Sequence, residues 1–337
     1  MKKTVLTLAL IISSMTLFAQ SEEENTIKWI NTYSEYNNAQ NWDAMIQNFD
    51  QCIKEIPSWD FAYYYKGMAE YHKKDYANAV KDLNTFTSKI DSVSAAYLFL
   101  AQSYNGLKQT DKALETLALY TQKEPEDKNG YIEMANSYIQ MKDYDNYIQM
   151  MNKVVSLDPK NESAYKNLAS AYGMQKKWQE SIDNLNKAIE LNPQNADYYF
   201  DRATANYSIK TPESVKAAVE DFDKAEQLGK TDAKLYNYKY ACHSVLKDYK
   251  GAIEDCNKLL EINPEDMTVT YYRGDANYKL QQFKEAIPDL DKVIASDKVD
   301  NRVKINALNR RGACKQKLND LKGAQADMEM IKKLQGK

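Results

Sequence analysis

Pro125, Pro159 and Pro193 stand 34 residues apart, and Pro57 and Pro264 fall in the same series. A small residue keeps the same beat at Ala79, Ala113, Ser181, Ala252, Ala286 and Ala324. A period of this size marks one supersecondary unit repeated along the chain. One such unit cannot bury its own apolar face, so neighbours must stack, and the core becomes a line of interfaces. The same constraint limits what the scaffold residues say about function, because they specify stacking and not a ligand.

The clearest unit runs from Glu162 to Pro193. Ala164, Tyr165, Leu168, Ala169 and Tyr172 recur at helical spacing on one face, and Trp178, Ser181, Ile182, Leu185, Ala188 and Ile189 do the same further on. Gln175, Lys176 and Lys177 form the polar turn between the two faces. Asn192-Pro193 stops the second helix, because proline lacks an N–H and disfavours helix at the residue before it. Each unit is therefore expected to be a helical hairpin, with Ala169, Ser181 and Ala188 small where the axes approach.

This pattern resembles the tetratricopeptide repeat. Counted from the start of the unit, the family's places 4, 7, 8, 11, 17, 20, 24, 27 and 32 are Tyr165, Leu168, Ala169, Tyr172, Trp178, Ser181, Leu185, Ala188 and Pro193. In the unit at Lys128 they are Tyr131, Met134, Ala135, Tyr138, Tyr144, Tyr147, Met151, Val154 and Pro159. The same register fits starts at Thr26, Asp60, Ser94, Lys128, Glu162, Ala196, Ala233, Met267 and Ile305, which makes nine repeats. The resemblance implies an all-α chain, a right-handed superhelical solenoid of about nine helical hairpins over residues 20–337.

Departures from the pattern carry expectations of their own. The sixth unit has three extra residues around Thr211-Pro212-Glu213 and ends in Leu228-Gly229-Lys230 without a proline. Glu226 stands there at an otherwise apolar place. Residues 208–232 are therefore the expected hinge and the weakest junction. Tyr33 and Tyr240 occupy the small place 8, which predicts splayed hairpins, and Pro288 predicts a mild bend in its helix. Gln325 and Lys332 replace apolar residues in the last unit, so its outer face is expected to cap the stack, with Gln335-Gly336-Lys337 as the end of the chain.

Residues 1–19 read differently. Lys2 and Lys3 precede an apolar run from Val5 to Ile12, and Leu17-Phe18-Ala19 ends on a small residue, the form of a signal peptide. The apolar stretch of about 15 residues is short of the roughly 20 a membrane helix needs. Export is expected, to a periplasmic or secreted destination after cleavage following Ala19, with no integral membrane span. Without Lys2 and Lys3 the chain has 43 basic and 48 acidic residues, a net charge of −5 in mixed sequence. Such a balance gives no footing for nucleic acid.

Chemistry-bearing groups are sparse. Cys52, Cys242, Cys256 and Cys314 fall at helix-facing places where cysteine acts as a small apolar residue, and only Cys242 and Cys256 share a hairpin that could bring them into a bridge. The two histidines, His72 and His243, lie far apart, and no zinc-binding or phosphate-binding motif is present. No catalytic residue, metal site or cofactor is expected, and the chain is not expected to be an enzyme.

In proteins of this family the first helices line a concave ligand surface through places 2, 5, 9, 12 and 13. Across the nine units only six of these 45 positions are charged: Lys166, Asp197, Lys234, Asp275, Lys279 and Lys317. Aromatic residues and amides take their place. The resemblance makes Phe61, Tyr64, Met68, Tyr71, His72, Gln102, Asn105, Asn136, Lys166, Tyr271 and Tyr278 the candidate groove residues. The carboxylate clamp of some family members is broken here, since Ser170 and Asp201 stand where it needs asparagine and Tyr238 where it needs arginine. The expected function is a non-catalytic scaffold holding a protein or peptide partner in the groove. The alternative is a glycan-binding or envelope-assembly accessory protein. The mature chain is expected to begin at Gln20, and N-terminal sequencing of an exported form that still carries Lys2 and Lys3 would reject this.

Overall fold

The computed structural model describes residues 20–336, and the expected leader at 1–19 lies outside them. Eighteen helices form nine consecutive pairs, and no strand occurs among the described residues. The pairs are Gln20–Asn38 with Trp42–Glu55, Phe61–His72 with Tyr76–Thr87, Ser94–Gly106 with Thr110–Lys123, and Lys128–Gln140 with Tyr144–Leu157. They continue as Glu162–Met174 with Trp178–Leu191, Ala196–Ile209 with Pro212–Gln227, and Ala233–Leu246 with Tyr249–Ile262. Met267–Lys279 with Phe283–Ala295 and Asn301–Lys317 with Leu321–Leu334 complete the set. The chain divides into two compact units, one ending at Pro159 and one beginning at Lys160. Within each unit every helix packs on the next, and the first helices of the second and third, third and fourth, sixth and seventh, and eighth and ninth hairpins also touch.

The turn inside each hairpin repeats one local solution. Gln40, Lys74, Lys108, Lys142, Lys176, Lys210, Lys247, Gln281 and Asn319 all take φ between 53° and 67°. A left-handed residue lets the last carbonyls of the first helix find partners: Lys74 N–H donates to Tyr71 O and Asp75 N–H to Glu70 O, both at 2.8 Å. The next residue then caps the second helix. Asp75, Asp143, Asp248 and Asp320 each accept a backbone N–H with a side-chain oxygen.

Small residues hold the axes close. Ala79, Ala113, Ala252 and Ala286 are fully buried, and a methyl group on Gly67 would lie 2.7 Å from Leu83 Cγ. The tyrosines at the small place turn to neighbouring hairpins: Tyr33 lies 4.5 Å from the Tyr65 ring, and Tyr240 stacks at 4.9 Å on Tyr272. The helix Phe283–Ala295 runs through Pro288 as one element. All four cysteines are buried free thiols, and burial pushes Cys242 and Cys256 up to about 12. On the last helix Gln325 and Lys332 are exposed, yet so are Leu321, Met328 and Met330, so that outer face is more apolar than expected.

A buried polar layer runs through the hairpins that depart from Leu at place 7. Arg202 makes a bidentate pair with Asp221 at 2.8 and 2.6 Å and donates to Asn186 of the preceding hairpin at 2.6 Å. Arg273 repeats this with Asp289 at 2.8 and 2.7 Å and Asn257 at 2.8 Å. Arg311 repeats it with Asp327 and Asp291. Lys66 bridges Asp50 at 2.8 Å and Asp82 at 2.9 Å in the same way. Lys239 reaches Asp223 at 2.7 Å and Glu226 at 2.5 Å. One cation thus ties its own hairpin to the one before.

The expected weak junction at 208–232 is held by several of these contacts. Glu226 accepts from both Lys239 and the Tyr236 hydroxyl. Thr211 and Ser214 form a capping box ahead of the helix Pro212–Gln227. Lys230 pairs with Asp197 at 3.0 Å and Asp232 at 3.2 Å. A cap and ion pairs thus stand at the insertion and where the proline is missing.

Where place 7 is a cation, place 11 is polar as well. Glu70 is buried there with Oε2 lacking a hydrogen-bond partner. Burial, and then the nearby Asp82 charge, push its carboxyl up to about 8 despite Lys66. His243 occupies the same place and meets Asp255 at 2.6 Å. Burial alone would lower the imidazole, but the hydrogen bond and charge of Asp255 raise it.

Two measurements check this layer. Asp289→Ala leaves Arg273 partly buried and unpaired and is expected to cost about 3 kcal/mol in urea unfolding, whereas adding Arg273→Leu recovers part of the loss. An equal loss in single and double variants would show that the pair does not hold the hairpin. For Glu70, the folded carboxyl binds its proton more tightly than the unfolded one, so stability falls as pH rises from the unfolded value of about 4.3 towards the folded value of about 8. The Glu70→Gln variant is expected to gain over the parent across that window and no further above it. A gain independent of pH would reject the assignment.

Candidate functional site

Four of the expected groove residues come together in the N-terminal unit. Tyr71, Gln102, Asn105 and Asn136 line one cleft of about 420 Å³ on the face presented by successive first helices. Tyr76, Gly106, Glu133, Ile139 and Gln140 complete its walls. The geometry follows from the period, because Gln102 and Asn136 hold the same place in adjacent repeats, as do Tyr71, Asn105 and Ile139.

The polar groups of the cleft are tied to each other. Gln102 Nε2 donates to Glu133 Oε1 at 2.7 Å, and Asn136 Nδ2 lies 3.5 Å from Glu133 Oε2. Asn105 Nδ2 donates to the buried Ser137 hydroxyl at 2.9 Å. Burial, followed by the Glu133 charge and Tyr76, raises the Tyr71 phenol above its ordinary range. The Tyr76 ring lies flat against the third hairpin, where a methyl group on Gly106 would come within 2.5 Å of it. Glycine at 106 is therefore what allows the aromatic wall.

The rest of the expected patch has other work. Met68 is buried, and Phe61 and Tyr64 pack into the core, at 5.2 and 5.3 Å from the Phe86 ring. Tyr64 also meets Tyr65 and Phe99, and burial drives its phenol strongly upward. Consecutive first helices need large side chains between them, and tyrosine at place 5 fills that gap instead of meeting a partner. His72 is exposed but stacked on Trp42 at 4.5 Å and against Phe99, with its imidazole lowered by burial. Tyr71 alone of the patch reaches the cleft.

In the C-terminal unit Lys166 borders a separate pocket of about 330 Å³ with Ser170, Trp178, Asp201 and Thr204. Burial raises the Asp201 carboxyl, with Lys166 opposing. Tyr271 and Tyr278 are covered by Arg310, whose guanidinium lies 4.8 Å from the Tyr278 ring centre and pairs with Asp275. Lys279 pairs with the same carboxylate at 2.8 Å.

Glu133, Asp201 and Arg310 share place 6, which lies outside the family's ligand-facing places 2, 5, 9, 12 and 13. One helical turn sets that place beside places 2, 9 and 13, so the period marks all three residues as neighbours of the groove. Among the described residues no group of three or more His, Cys, Asp or Glu is arranged to hold a metal ion, and no helix is long and apolar enough to cross a membrane.

Two segments, 163–195 and 129–161, match profiles of the tetratricopeptide repeat. No curated protein matches the chain. Among solved structures, the C-terminal part of a TPR repeat-containing protein from Cytophaga hutchinsonii is similar at a TM-score of 0.64 and 17% identity, covering 71% of this chain and 97% of that one. A tetratricopeptide repeat protein from Parabacteroides merdae is similar at 0.47 and 16%, covering 73% and 94%. YrrB, described as a TPR protein with an unusual peptide-binding site, is similar at 0.48 and 20%, covering 58% and 98%. At 17% identity the likeness to the Cytophaga structure is one of fold.

Proposed function

The chain is a tetratricopeptide repeat protein, and from that premise we propose that it is a non-catalytic scaffold whose N-terminal cleft holds an extended segment of a protein partner. The observation that carries this reading is the convergence of Tyr71, Gln102, Asn105 and Asn136, chosen by their repeat places, on one cleft of about 420 Å³. An aromatic wall beside side-chain amides suits a peptide, because the ring supplies apolar contact and the amides meet backbone N–H and C=O groups. A glycan is the second reading, since the same ring and amides serve sugar hydroxyls. The Lys2-Lys3 start, the apolar run and Ala19 support export, which would place the partner in the periplasm or outside the cell.

The test uses residues 20–337 against a peptide library and a glycan array. Tyr71→Ala with Gln102→Ala is expected to weaken peptide binding at least tenfold, about 1.4 kcal/mol. Both side chains are only partly buried, so helicity should be retained. Peptide binding unchanged in the double variant, or signal on glycans alone, would overturn the peptide reading.

A further inference from the structure

We propose that the N-terminal cleft selects a basic side chain, arginine in preference to lysine, from the peptide it holds. The inference rests on the peptide reading above and adds the chemistry of the residue recognised.

Of the nine residues lining the cleft, Glu133 is the one that carries a formal charge. Its two oxygens are oriented by Gln102 and Asn136, which are neutral donors. No Lys, Arg or His of the described residues pairs with it or lines the cleft. Glu133 differs in this from the carboxylates that line the polar layer and from Asp275. Asp82, Asp221, Asp289 and Asp327 are each met by a cation of their own hairpin, and Asp275 is met by two cations. Glu133 is held in place by amides, and its charge is left for something that enters.

What enters also meets aromatic rings. Tyr71 and Tyr76 line the same cleft, and a cation over a tyrosine face is attracted by the ring quadrupole. The chain makes this contact repeatedly: Lys112 lies 5.6 Å from the Tyr104 centroid, Lys153 lies 5.5 Å from Tyr131, and Arg310 lies 4.8 Å from Tyr278. Tyr76 is kept in the wall by the absence of a side chain at Gly106. Burial, and then the Glu133 charge, raise the Tyr71 phenol, in keeping with a carboxylate that lines the same cleft as the ring. A planar guanidinium can stack on tyrosine and still present paired N–H donors to a carboxylate, which a rounded ammonium cannot do as well. The cleft volume of about 420 Å³ leaves room for flanking backbone beside Asn136 and Gln140.

The experiment selects capped hexapeptides from a randomised library on residues 20–337 and on its Glu133→Gln variant. The substitution keeps the side-chain shape and removes the charge, and circular dichroism of the variant checks that it folds. The expected result is enrichment of arginine at one position on the parent and loss of that enrichment on Glu133→Gln. Replacing the arginine of a selected peptide by citrulline, its neutral near-isostere, is expected to weaken binding to the parent about tenfold and to the variant hardly at all. Enrichment of acidic or apolar residues, or equal binding of arginine and citrulline peptides, overturns the cation inference. If those peptides still depend on Tyr71 and Gln102, the peptide reading stands without it. If no hexapeptide is enriched on either protein, both fall.

Discussion

Everything in this molecule depends on two helices coming close enough to share a side-chain layer, and then on the next hairpin covering what remains. The first condition is met by small residues such as Ala79, Ala113 and Ala252, which are fully buried. The second is met by large ones, among them Phe49, Phe86, Leu117 and Phe222, which are completely covered without belonging to any central core. Stability in such a stack is a sum of local terms, because each hairpin touches only its neighbours. A cleft for a ligand then costs little, since omitting one side chain, as at Gly106, seats the Tyr76 ring as a wall without disturbing a shared interior.

Two kinds of interface occur in blocks along the chain. In the third, fourth and fifth hairpins, place 7 is Leu100, Met134 or Leu168 and place 11 is Tyr104, Tyr138 or Tyr172. In the second and in the sixth to ninth, place 7 is Lys66, Arg202, Lys239, Arg273 or Arg311. The polar version does not add stability for its own sake, because two charges must leave water. Its value lies in direction: a guanidinium that binds Asp289 on one side and Asn257 on the other admits one relative placement of the two hairpins. Even the apolar type keeps a trace of this, since Asn84 donates to the Tyr104 hydroxyl of the following hairpin at 2.9 Å.

The architecture is legible in the sequence because a fixed period survives substitution at any single place. From the second hairpin to the eighth, each first helix starts within one residue of the expected repeat start, while the first and the last begin earlier, at Gln20 and Asn301. The candidate site is legible only in part. Tyr71, Gln102, Asn105 and Asn136 are found by place alone, but Tyr64 and Met68 are misplaced, because an aromatic or thioether side chain serves a groove and an inter-helix gap equally well. Glu133 is missed because it stands at place 6, outside the places by which the family is known to meet ligands. The polar layer is missed because a Lys or Arg at place 7 looks like an isolated departure until an aspartate sixteen or more residues away along the chain is seen opposite it.

The cation that reaches back to the preceding hairpin has a consequence for how such a chain can change over generations. A repeat protein grows and shrinks by duplicating or losing whole units, and an all-apolar unit can be copied into almost any slot. A unit carrying Arg311 cannot, because it requires an oxygen where Asp291 stands in the unit before it. Hairpins of this kind behave like words in a sentence with agreement rules. They are gained or lost with a compatible neighbour, and the order of the C-terminal hairpins should be harder to scramble than that of the middle ones.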